Sequence, residues 1–167
     1  VPTVNDNADE PSPEDFTATI IDADNDTGVS VATDGTQTAT GKILDNDDEP
    51  VVSITVDQHY GVTEGGSITF TVTQDSYSDS DTVVDVNLSD GTATAGEDYT
   101  DGSTYQVTIP AGQLSASATV SVPTVNDNAD EPSPEDFTAT IIDADNDTGV
   151  SVATDGTQTA TGKILDN

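Results

Sequence analysis

The chain has no cysteine, methionine, tryptophan or arginine, and it has only two lysines and one histidine in 167 residues. Without cysteine there is no disulfide framework, no thiolate metal site and no cysteine nucleophile. The two lysines stand against 33 Asp and Glu, a formal charge of -31. A surface of that sign repels phosphate backbones and anionic lipids, so nucleic acid and direct membrane insertion are excluded and cationic partners are expected. Apolar runs are only a few residues long, far short of a bilayer span. No basic, then apolar leader opens the chain, which is expected to be a mature internal segment.

Hydrophobic residues make up 32% and aromatics 4% of the chain, close to the composition of a disordered acidic tail. Their placement argues for a fold instead, because most are Val and Ile at alternate positions. Internal repetition then sets the organisation. Val1 to Asn46 recurs without change as Val122 to Asn167, so residues 47–167 are expected to be one complete repeat. Residues 1–46 are then the C-terminal fragment of a preceding repeat: the end of a strand E, then F and G. Lacking strands A to D, that fragment is not expected to close a sandwich alone.

Seven alternating runs occupy the complete repeat: Val51 to Asp57, Ser67 to Gln74, Thr82 to Ser89, Thr104 to Ile109, Leu114 to Val125, Asp136 to Ile142 and Thr159 to Leu165. Each is bounded by Gly, Pro, Asn, Asp or Ser, and no segment has helical periodicity. The pattern predicts an all-β, seven-stranded antiparallel immunoglobulin-like β-sandwich. If the runs are lettered A to G, parity divides the acids between two poles. One pole takes Glu64, Asp90, Glu97, Asp98, Asp101, Asp127, Asp130, Glu131, Glu135, Asp136 and Asp166. The entry to A and the B–C, D–E and F–G loops take most of the rest, and only Asp57 and Asp85 fall inside strands.

A salt-tolerant acidic coat would also place carboxylates on the outward strand faces. Concentrated at a pole, they repel by roughly 1 kcal/mol per pair at 4 Å in water and more at a protein surface, so counter-ions are expected among them. Hard oxygen donors without His or Cys select Ca²⁺ over zinc, and Mg²⁺ prefers to keep its waters.

The landmarks Thr63-Glu64-Gly65-Gly66-Ser67, Asp90-Gly-Thr-Ala-Thr-Ala-Gly-Glu-Asp-Tyr99, Ile109-Pro-Ala-Gly112, Asn126-Asp127-Asn128 with Glu135-Asp136-Phe137, and Gly162-Lys-Ile-Leu-Asp166 resemble a Calx-β domain over nearly all of 47–167. The resemblance implies a seven-stranded sandwich of the kind found in sodium–calcium exchangers, in integrin β4 and in tandem arrays of large bacterial (RTX-type) surface adhesins. Near-identical copies are most similar to the arrays. The family's calcium ligands, carried over by position, are Glu64, Asp90, Asp127, Glu131, Glu135 and Asp166, with Asp98 and Asn128 beside them. In the preceding fragment the counterparts are Asp6, Glu10, Glu14 and Asp45, followed by Asp47. Asn126, Asn128 and Asn46 interrupt acidic runs that the family often leaves unbroken, which implies fewer ions or weaker binding.

Asp143-Ala-Asp145-Asn-Asp147-Thr-Gly149, repeated at Asp22, Asp24 and Asp26, resembles the opening of an EF-hand loop. Thr148 stands where that loop needs Gly and Thr154 where it needs Glu, so the match is partial and a solvated turn competes with an ion site. No catalytic constellation is present: His59 has no nucleophile at a useful spacing, and the carboxylates lack aromatics to bind sugar. The chain is expected to be no enzyme but a calcium-binding, extracellular structural spacer, cell-surface or secreted, whose partners are calcium ions and neighbouring repeats. A regulatory calcium sensor and an ion-free salt-tolerant spacer are the rival readings.

Overall fold

The structure is a computed structural model of the chain, and it describes all residues except 24–27, 101–103, 117–118 and 128. The described strands are β1 (Ala8–Asp9), β2 (Glu14–Thr19), β3 (Thr38–Ile43), β4 (Val51–Val56), β5 (Val62–Thr63), β6 (Ser67–Gln74), β7 (Tyr77–Ser78), β8 (Thr82–Asp90), β9 (Tyr105–Ile109), β10 (Val120–Pro123), β11 (Glu135–Asp145), β12 (Ser151–Val152) and β13 (Thr159–Leu165). No helix occurs among the described residues.

The chain divides into two units. The first, Val1–Asp6 with Pro11–Asn46, contains one antiparallel hairpin, β2 with β3, registered from Glu14↔Ile43 to Thr19↔Thr38. Its side chains are largely exposed; Phe16 is half-buried over Gly41, where any Cβ would meet its ring. Val1 and Val4 are exposed and lie in no strand, so the expected end of strand E does not form there. In the other copy Val122, the counterpart of Val1, pairs with Ile68 of β6, and the described residues of 1–46 offer no such partner.

The second unit, Asn7–Glu10 with Asp47–Asn167, is the sandwich. One sheet runs β10-β6-β4-β12 and the other β5-β13-β11-β8-β9. Alternation explains the core: Val52, Ile54, Ile68, Phe70, Val72, Val84, Val86, Val107 and Ile109 are buried, while the residues between them lie on the outer faces. Phe137 is fully buried between Phe70, edge-on at 5.9 Å, and Tyr99, stacked at 4.3 Å. Gly162 lies under Phe137 because a Cβ there would come within 2.9 Å of the ring.

Three features differ from the sequence pattern. Two short pairings are parallel, β12 with β4 and β5 with β13. In the second, the chain after β4 crosses to the other sheet through Gly61, whose φ of +102° favours glycine and where a Cβ would lie only 3.1 Å from the Lys163 carbonyl oxygen. Strand E, expected over 114–125, is regular only as β10. Gln74 N and Ala116 N do bond to the Leu114 and Val72 carbonyls, but Leu114 is exposed, and Ala118, expected inward, lies outside the described residues. Strand F runs on to Asp145 because β8 is long enough to pair Asp143↔Asp85, Ala144↔Val84 and Asp145↔Val83. A β-bulge between Ile141 and Asp143 inserts Ile142 and reverses the inside–outside parity, so that Ile141 is buried while Asp143 and Asp145 face outward.

Candidate metal centre

The acidic pole is assembled by five stretches of chain. The end of β8 and the loop after it carry Asp90 and Asp98, the turn before β6 carries Glu64, the segment after β10 carries Asp127 and Glu131, β11 begins at Glu135, and Asp166 follows β13. The loop after β8 is fixed from within. Asp90 Oδ1 accepts from the Ala95 amide (2.9 Å) and the buried Tyr99 hydroxyl (2.6 Å), and Tyr99 itself is held against Phe137. Ala93 N donates to the Asp136 carbonyl at 2.9 Å, which straps the loop to β11. A side chain at Gly91 would collide with Asp136, its Cβ 2.6 Å from the carbonyl oxygen. Asp98 Oδ2 accepts from Thr94 N at 2.7 Å, and the Asp98 carbonyl from Val125 N at 2.9 Å. Glu64 N bonds to the Leu165 carbonyl at 3.0 Å, bringing Glu64 to the end of β13 beside Asp166.

Within that frame, Asp98, Glu131 and Glu135 each bring one carboxylate oxygen within 4.8 Å of the other two, and all three are half-buried. The Glu131 carboxyl is held above its ordinary pKa, first by desolvation and then by the charges of Asp127, Asp98, Glu135 and Glu64. Glu135 is raised likewise by desolvation, then by Asp98, Glu64 and Asp166. Six acids from five stretches of chain therefore share one electrostatic neighbourhood. Three partly buried carboxylates, with three more in range and no imidazole or thiol, match the all-oxygen donor set that a hard divalent cation takes.

The other nominated residues fall elsewhere. Asp90 is exposed and turns Oδ1 onto its own loop, its pKa lowered chiefly by the Tyr99 hydroxyl and then by the Ala95 amide. Its Oδ1 braces the loop, as Asp98 Oδ2 does through Thr94 N. Asn128, Asp24 and Asp26 lie outside the described residues. Asp6, Glu14 and Asp22 are exposed, Asp45 N donates to Ser12 Oγ at 3.0 Å, and Asp47 and Glu10 are half-buried. No triad matching that of Asp98, Glu131 and Glu135 occurs around them among the described residues.

Asp143, Asp145 and Asp147 do not form a continuous loop. The first two stand on β11, beside Asp85 and Gln106 over a shallow surface depression. The turn is organised by Asn146: its Oδ1 accepts from Thr148 N (3.1 Å) and Gly149 N (2.6 Å), and its Nδ2 donates to Ser78 Oγ and Thr82 Oγ1. The sequence pattern drew attention to the three acids and passed over the amide between them. The signal was there, since an Asn two residues before a Thr-Gly step, as in Asn146-Asp147-Thr148-Gly149, is Asx-turn chemistry. Asp155 likewise spends Oδ1 on Thr157 N and Oγ1, at 3.0 and 2.6 Å, and the copy at Asp34 and Thr36 does the same.

A family model of the Calx-beta domain matches residues 45–167, the stretch that builds both the sandwich and its acidic pole. The chain belongs to the Calx-beta family. Among solved structures it is similar to the apo-form Calx CBD1 domain, with 21% identity over 72% of this chain and 99% of that one and a TM-score of 0.57. It is also similar to CBD12 from CALX1.2, with 25% identity over 68% of this chain, 44% of that one and a TM-score of 0.56. No curated protein sequence matches. The Calx-beta fold thus accounts for the two sheets and for the pole at which the loop after β8, the segment after β10 and the start of β11 meet.

Proposed function

We propose that the chain is a calcium-binding structural extender, one complete repeat preceded by part of another, from the tandem array of an extracellular cell-surface adhesin. The observation that carries the reading is the convergence of Asp98, Glu131 and Glu135 at one pole, with Glu64, Asp127 and Asp166 close enough to raise two of their pKa values. Asp98, Glu131 and Glu135 would hold the ion, and the other three lie within reach of it or of a second. Calcium supplies the positive charge that the pole lacks and ties the loop after β8, the segment after β10 and β11 to one another. Asp166 belongs to this pole, so the ion also stiffens the point from which the chain continues as Asn46-Asp47-Asp48-Glu49-Pro50 does after the first copy.

The unchanged repetition of 46 residues supports a spacer over a sensor: a spacer gains length from every copy, whereas a sensor needs only one or two. Extracellular calcium modules bind at about 10⁻⁴ to 10⁻³ M, within reach of extracellular calcium. The test is thermal unfolding by circular dichroism in excess EDTA and then in about 5 mM Ca²⁺, with equimolar Mg²⁺ and high NaCl as controls. A rise of melting temperature with Ca²⁺ alone is expected. Equal rises with Mg²⁺ or NaCl would mean charge screening and would replace the proposal with an ion-free acidic spacer.

A further inference from the structure

Two stretches of identical sequence have different surroundings. Asn7-Ala8-Asp9-Glu10 and residues 128–131 read the same. Ala129 and Asp130 are exposed and lie in no strand. Ala8 and Asp9, by contrast, form β1, paired in parallel with β7 as Ala8↔Tyr77 and Asp9↔Ser78, and they belong to the unit that contains the sandwich. Asp79 N donates to the Asp9 carbonyl at 3.0 Å, and Asp9 is 7% exposed. The first copy is followed by a complete repeat, and it is the Tyr77–Ser78 edge of that repeat that Ala8 and Asp9 meet.

We infer that this four-residue segment is an inter-repeat docking strand, which each repeat lends to the Tyr77–Ser78 edge of the next copy of itself. The acceptor is built for main-chain recognition. Ser78 is buried, and its hydroxyl is engaged by Ser80 N, Asn146 Nδ2 and Thr148 Oγ1, which fixes the short β7 edge in place. An exposed strand edge is a template for a further strand, and strand addition takes affinity from main-chain bonds. The Asp9 side chain adds little to the attachment, since its Oδ2 is buried with no partner among the described residues. The occupant is therefore selected by position along the array and by backbone shape. Asp130 of this chain awaits the following repeat.

The inference rests on the reading of the protein as a tandem array but not on calcium, and its test is scored separately. Amide hydrogen exchange by NMR is measured on the full chain and on Asp9→Pro, which removes a backbone donor from β1, with Asp130→Pro as the matched control in identical local sequence. The Asp79 amide is expected to exchange at least tenfold faster in Asp9→Pro and unchanged in Asp130→Pro, in both EDTA and Ca²⁺. The Ile54 and Ile141 amides, bonded to Thr157 and Gln158, report that the sandwich stays folded. In a chain extended by a further copy of residues 47–167, the amide of Asp130, the counterpart of Asp9, is expected to gain protection. Unchanged exchange at Asp79 in Asp9→Pro, or an unprotected Asp130 amide in the extended chain, would overturn the docking strand. Failure of the calcium test alone would leave it standing.

Discussion

Neutralising one member of the acidic triad should have opposite effects with and without calcium. In Glu135→Gln the side chain keeps its shape and loses its charge. Two unit charges 4.8 Å apart, the span of the triad, repel by roughly 0.9 kcal/mol at the dielectric of water. The variant should therefore be more stable than the wild type in EDTA by an amount of that order. With calcium the sign reverses. At about 5 mM Ca²⁺ and a dissociation constant of about 10⁻⁴ M, one site stabilises the fold by about 2.3 kcal/mol. If losing one ligand charge weakens binding about tenfold, the gain falls to about 1.1 kcal/mol. The calcium-induced rise in melting temperature should thus shrink by roughly 3–8 °C for a domain of this size. Paired melting curves in EDTA and Ca²⁺ read both signs in one experiment. A variant less stable than wild type in EDTA, with an undiminished calcium increment, would refute the placement of Glu135 in an ion site.

The pH dependence in EDTA arises from the same groups. Glu131 and Glu135 have raised pKa values, so their contribution to stability is full below the ordinary carboxylate range and is lost as the pH rises through the raised values. Asp90, lowered by Tyr99 and Ala95, works the other way and loses its contribution as the pH falls through its folded value. The melting temperature in EDTA should therefore climb as the pH falls through the raised values of Glu131 and Glu135 and turn down as it falls through the lowered value of Asp90; melting curves in Ca²⁺ should lack the climb, and a climb of equal size there would count against the ion site. Phe137→Ala removes the ring that packs on both Phe70 and Tyr99 and should cost about 3–5 kcal/mol in urea unfolding in EDTA. Asn146→Ala strips the partners of Thr148 N, Gly149 N and Thr82 Oγ1 and should cost about 1–3 kcal/mol in the same assay, whereas Asp147→Asn should change little.

The sandwich was legible because alternation records which side of a strand is buried, and each of the seven runs includes apolar residues that the structure buries, from Val52 and Ile54 to Ile164. Alternation does not encode where a bulge falls. Ile142 looks like one more apolar residue at the end of strand F, and only the length of β8 opposite it shows that pairing continues to Asp145. That one inserted residue turns Asp143 and Asp145 from expected loop oxygens into side chains on an outer face. Strand E failed for a related reason: Leu114 and Ala116 fit the pattern, but the ladder along β6 is not regular over the whole run.

At the acidic pole, parity placed Glu64, Asp98, Asp127, Glu131, Glu135 and Asp166 together, because parity depends only on the number of strands between them. It could not tell an acid that points toward the shared space from one that points back into its own loop. Asp90 and Asp98 sit eight residues apart in one motif, yet Tyr99 binds the first while the second joins the triad. What separates them is the aromatic ring: Tyr99 stacks on Phe137 and its hydroxyl donates to Asp90, and the loop closes with Asp98 beside Glu131 and Glu135. The core thus orients the acidic pole. A substitution beneath the pole, at Phe137 or Gly162, should disturb the triad even though it removes no carboxylate.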